Sequence, residues 1–150
     1  MSQVQMDFGL SPSALSDVAD TNLAVVDWGD LAYYLLEMPI FLKLGDVPVL
    51  NGEPLPITSM ARAGPANLKR LRRNEQIMMT LPGGNPLIMK RVGGNVEMQV
   101  VGRSAVGIAP LKDVLDAWEQ FSRRVRLLLL DHHPELLERQ DMGDWFREVL

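Results

Sequence analysis

The chain has 150 residues, 47% of them hydrophobic and 23% charged, with 15 basic and 19 acidic side chains for a net charge of −4. That size and composition suit one globular domain with a real core, and the mild acidity argues against sequence-independent binding to nucleic acid, which needs an excess of Lys and Arg. There is no cysteine, so disulfides, thiolate nucleophiles, iron–sulfur clusters and cysteine-bound zinc are all excluded.

Residues 1–10 read as polar and loosely ordered, with no basic region leading into an apolar run. The expectation is a cytoplasmic protein without a signal peptide. Ser11-Pro12-Ser13 predicts a helix start, Ser11 capping and Pro12 in the first turn, where its missing N–H costs nothing; the helix ends near Asp20 to Asn22. Leu23 to Trp28 fits a strand or a loop. Asp30 is a reasonable cap for a helix carrying Leu31, Tyr33, Tyr34, Leu35 and Leu36. The apolar run from Leu31 to Leu44 is broken by Glu37, Pro39 and Lys43, too short for a membrane span, and reads as a buried helix. The tyrosine pair is expected in the core.

Between Asp46 and Pro56, Asn51-Gly52 signals a hairpin, while Pro48, Pro54 and Pro56 restrict its strands to a sheet edge. From Thr58 to Asn74, Ala61, Ala63, Ala66, Leu68 and Leu71 alternate with basic residues, predicting a helix from near Pro65. Gln76 to Leu81, Pro86 to Val92 and Val96 to Val101 show period-two patterning between glycine-rich turns, the signature of an antiparallel meander with one covered face. Pro110 opens a long helix in which Leu111, Val114, Leu115, Trp118, Phe121, Val125, Leu128 and Leu129 form one apolar stripe. Pro134 ends it, a short helix starts at Glu135, and Gly143 precedes the anchors Trp145 and Phe146. The fold class is therefore α+β, a single domain over residues 1–150. A small antiparallel sheet, the three-stranded meander plus an edge hairpin, is covered by the C-terminal helix.

Candidate chemistry is sparse. His132 and His133 sit beside Asp131 and Glu135, but neighbouring residues at a helix end point in different directions, and the pair fits a helix C-terminus better than a metal site. Ser59 and Ser104 are placed in loops, neither within a nucleophile elbow. Asp27, Asp30 and Glu37 are the carboxylates available for acid–base work if a cleft joins them. Gly83-Gly84 and Gly93-Gly94 are hairpin turns, not phosphate loops. The dense basic run Lys69, Arg70, Arg72 and Arg73 is the candidate partner-binding site, with a solvated helix face as its alternative; no aromatic residue is interleaved to stack on bases. No catalytic, cofactor or metal residue is assigned.

The C-terminal third, through Ala117-Trp118-Glu119-Gln120-Phe121, Val125, Leu128, Pro134-Glu135-Leu136 and Trp145-Phe146, resembles the end of small bacterial αβ proteins that serve as immunity proteins to polymorphic toxins. The resemblance spans roughly forty residues and carries no catalytic motif and no binding residue. It implies a small acidic protein that binds and blocks a toxin domain. The leading expectation is thus a non-enzymatic protein-binding module of the immunity or inhibitor type. The alternatives are an assembly subunit of a phage or secretion apparatus, self-associating through a Met-rich sheet face or Leu127 to Leu130, and a small enzyme using carboxylates.

Overall fold

The computed structural model describes residues 3–150. Two antiparallel sheets share one interior. The first has three strands in the order β1 (Val4–Phe8), β2 (Glu37–Leu44) and β3 (Val47–Pro56). The second is a four-stranded meander of β4 (Gln76–Met79), β5 (Leu87–Val92), β6 (Asn95–Val100) and β7 (Gly107–Pro110). Two short helices, α1 (Pro12–Ser16) and α2 (Trp28–Tyr33), lie between β1 and β2. The long helices α3 (Ile57–Arg70) and α4 (Leu111–His132) pack on each other, and α4 also reaches β1, β6 and β7. A 3-10 turn (Pro134–Glu138) and α5 (Gly143–Arg147) close the chain.

The meander and α4 follow the sequence pattern. Leu87, Met89, Val96, Met98 and Val100 alternate inward, and the meander gains β7 as a fourth strand. Val114, Trp118, Phe121, Val125 and Leu129 of α4 are fully buried, on the spacing of three and four that defines one helix face. Met fills the interior as Leu would: Met38, Met60, Met89 and Met98 are completely enclosed.

The N-terminal third departs from the expectation. Residues 4–8, expected to be loose, pair in register with β2 from Val4↔Leu44 to Phe8↔Ile40, burying Val4 and Met6. The helix expected through Leu44 ends at Tyr33, and its cap is Asp27, whose Oδ2 accepts the Gly29 N–H at 3.1 Å. Residues 37–44 are a strand because Met38, Ile40, Leu42 and Leu44 share one face while Glu37, Phe41 and Lys43 share the other. Leu36 turns the chain from helix to strand at φ 60, a conformation that costs a non-glycine residue about 1 kcal/mol or more, and full burial of its side chain holds it there. Leu23 to Asp27 resolve as turns, and α1 is capped by Ser11 as expected but stops at Ser16.

Asn51-Gly52 is not a hairpin turn. The turn is Gly45-Asp46, fixed by the pair Leu44↔Val47, with Gly45 at φ 58. Gly52, at φ 96, is the extra residue of a bulge between Asn51 and Glu53, and Glu53 Oε2 accepts the Asn51 N–H at 2.6 Å across it. The prolines do confine β3 to the sheet edge. Pro39 and Pro54 face each other, so this pair exchanges no ladder hydrogen bond. On the other side of the sheet, Arg124 Nη2 donates to the Met6 carbonyl at 2.7 Å, occupying an acceptor on the open edge of β1. Helix α3 begins at Ile57, eight residues before Pro65, which lies inside it.

Candidate functional site

The basic run lies at the C-terminal end of α3, where a cation is favoured by the carbonyl end of the helix dipole. Lys69, Arg70 and Arg72 share a depression with Glu75, Ile77 and Arg91, while Arg73 lies outside it. Arg91 is a member the sequence pattern missed, being distant in the chain; its Nη1 donates to the Leu71 carbonyl and its Nε to the Gly93 carbonyl, each at 3.2 Å. Lys69 is bound to Glu119 at 2.8 Å and Arg70 donates to Asn67 Oδ1 at 2.8 Å. Arg72 and Arg73 are exposed and make no ion pair among the described residues. Exposed pairs of this kind contribute less than about 1 kcal/mol each, so the cluster is not a stabilising centre.

The three candidate carboxylates do not share a cleft. Asp27 borders a depression with Arg139 and Asp141, Glu37 borders a separate groove beside α1, and Asp30 borders neither. Ser59, expected in a loop, is buried in the first turn of α3; Ser104 is exposed between β6 and β7. The two histidines diverge. His132 Nδ1 lies 3.1 Å from the Leu128 carbonyl at the end of α4. His133 is buried and donates from Nδ1 to Glu135 Oε2 at 2.9 Å, and the same oxygen accepts the Leu23 N–H at 3.1 Å.

Around Glu135 the C-terminal elements clasp the segment before α2. Arg139 is buried, donates from Nη1 to the carbonyls of Leu23 and Val26 at 2.7 Å each, and forks onto Asp141 at 2.9 and 3.0 Å. Its guanidinium also lies 5.6 Å from the Trp28 ring. Trp28 meets Trp145 edge to face at 6.4 Å, and Arg126 lies 5.0 Å from the Trp145 ring. These cations are consumed in structure. Burial pushes the Arg126 guanidinium below the usual arginine value, against the partial support of Glu148.

Three carboxyls sit below their ordinary range. For Asp141 the Arg139 hydrogen bond is the main cause. For Glu135 and Glu53 burial pushes upward, but hydrogen bonds from His133 and the Leu23 N–H, and from Arg103 and the Asn51 N–H, outweigh it. Depressed folded values mean that the stability they contribute is complete above the unfolded carboxylate range and is lost as pH falls through the folded values. We expect a thermal midpoint that is flat from neutral pH to about 5 and declines below about pH 4. Thermal melts across that range check it, and a midpoint that rises on acidification below pH 4 contradicts it.

A second surface was missed by the sequence reading. Tyr33 and Tyr34, expected in the core, are 46% and 76% exposed, because α2 turns only Leu31 and Ala32 inward. Tyr34 lines a groove of about 380 Å³ with Ala14, Leu35, Pro39 and Pro54, and its charged members are Asp17 and Glu37. The signal was available: residues 1–42 hold six acids and no Lys, Arg or His, whereas the remainder holds 15 basic and 13 acidic residues. No family model, curated protein or solved structure matches the chain.

Proposed function

We propose that this protein is a non-enzymatic binding module of the immunity or inhibitor type, which holds a partner toxin domain in a neutralised complex. The observation that carries the reading is the tyrosine pair left in solvent at the mouth of an apolar groove. Tyr joins a large apolar ring to a polar tip, loses little entropy on binding, and is enriched where interfaces concentrate their energy. The dispersal of Asp27, Asp30 and Glu37, and the engagement of His133, Glu135, Arg126 and Arg139 in internal pairs, agree with a binding role. Arg72 and Arg73, with Lys69 and Arg70 beside them, are flanking contacts for an acidic patch on the same partner.

Neutralisation is the test. Growth of cells producing the captured partner should be arrested, and restored when this chain is co-produced. Arrest that persists despite full production of the chain would remove the inhibitor reading.

A second reading, an assembly subunit, is favoured by Met78, Val92, Val106 and Ile108, which are 40–57% exposed on the meander. Sedimentation at high concentration separates the two: a monomer supports the inhibitor, a concentration-dependent oligomer the subunit.

A further inference from the structure

We propose that the groove between α1, the end of α2 and the start of β2 is the docking site for a basic segment of the partner protein. An Arg or Lys stem lies on Leu35, Pro39 and Pro54, with its charged head against Tyr34 and the carboxylates of Asp17 and Glu37. The inference rests on the binding role proposed above and names the chemistry of what is bound.

Shape and charge point to the same occupant. The floor is apolar and the aromatic wall is Tyr34, 76% exposed, so a bound side chain would cover surface that the fold leaves in water. A cation against a tyrosine face is attracted by the ring quadrupole, by about 0.5–1 kcal/mol at exposed sites and more when desolvated. The rim carries one sign only. Asp17 and Glu37 line the groove, and exposed Asp20 and Asp30 lie on the flanking segments. The cation beneath this part of the chain, Arg139, is buried and forked onto Asp141. Other depressions mix signs: the one between α3 and α4 holds Arg62, Lys69 and Arg123 against Asp116, Glu119 and Glu148, and the one along β1 holds Asp7 against Lys43 and Arg124. An acidic partner segment would meet uncompensated repulsion here, and a wholly apolar one would leave Asp17 and Glu37 desolvated without counter-charges. A uniform rim also speeds capture of a basic partner and makes the association salt-sensitive.

The probe is a fluorescein-labelled Arg–Gly repeat peptide, with a Glu–Gly repeat as control, titrated by anisotropy into the full chain at low ionic strength. We expect the basic peptide to bind, the acidic one not to, and affinity to fall about tenfold in Tyr34→Ala and in the Asp17→Asn/Glu37→Gln double variant. Tyr34 and both acids are surface groups, and circular dichroism verifies that the variants stay folded. Asp131→Asn makes a charge change at a distant exposed carboxylate and should leave affinity unchanged. Backbone amide shifts on peptide addition should centre on residues 10–20 and 33–39.

Equal binding by the Tyr34→Ala chain, shifts centred elsewhere, a loss in Asp131→Asn as large as in the double variant, or binding of the acidic peptide would each overturn the proposal. So would a Tyr34-dependent homodimer, which would give the groove to a second copy. Loss of the peptide site with neutralisation intact would overturn the groove alone and spare the inhibitor reading.

Discussion

Replacing Gly64 with Ala should destabilise the protein by about 3 kcal/mol or more, at or beyond the upper end for overpacked cores. On an exposed helix the same change gains about 1 kcal/mol, so the sign of the effect is the diagnostic. Gly64 lies in α3 where that helix crosses α4, and a Cβ built there falls inside the indole of Trp118. The indole cannot step aside: Trp118 is fully buried, and its Nε1 donates to the Met60 carbonyl at 2.7 Å. The thermal midpoint should drop by roughly 6–12 °C for a chain of this size. Trp118→Leu costs stability by itself, through a cavity and a lost hydrogen bond, but should absorb part of the Gly64→Ala penalty, giving strong non-additivity in a double-mutant cycle. A Gly64→Ala protein within about 0.5 kcal/mol of the parent contradicts this account of the α3–α4 contact.

The second large effect falls on the clasp. Arg139→Met keeps the apolar stem but deprives the Leu23 and Val26 carbonyls of their donor and frees Asp141. Asp141 is half exposed, so its lost partner matters less than the abandoned carbonyls. Together they set an expected loss of about 3 kcal/mol. Arg139→Lys should recover little, because one ammonium cannot reach two carbonyls while forking onto a carboxylate. The effect should be local first. Hydrogen exchange is expected to accelerate at residues 22–28 while Val114 to Leu129 of α4 stays protected. Unchanged protection at residues 22–28 would show that Arg139 does not hold that segment.

What the sequence disclosed depended on how local the cause was. The meander was legible because glycine-rich turns bracket runs whose alternation is read within one strand, and α4 because its stripe repeats over the whole element. Strand β2 was hidden: Leu35 and Leu36 run on into Met38 and Ile40, and Pro39 and Phe41 blur the outward-facing row. The switch falls at Leu36, whose positive φ no propensity predicts. Strand β1 shows alternation at Val4 and Met6, but its place was invisible until β2 existed to pair with it. Pro65 suggested a helix start and instead sits beside Gly64, where the demands of packing against Trp118 override local preference.

The candidate site was legible in part. The run from Lys69 to Arg73 announces itself, but Arg91 joins it only through the register of β5. The acidic groove drew residues from α1, α2, β2 and β3, and its one readable trace was the lack of basic residues before Lys43. Tyr33 and Tyr34 were assigned inward because aromatic pairs usually are, and α2 proved too short to bury more than one face.

The most direct test of the binding role is affinity capture of the tagged chain from its own cells, followed by native mass measurement of the eluate at low and high salt. The account predicts one stoichiometric complex with a basic protein, present at low salt, weakened at high salt, and depleted when Tyr34→Ala replaces the parent chain. The chain eluting alone and monomeric under both conditions would contradict it.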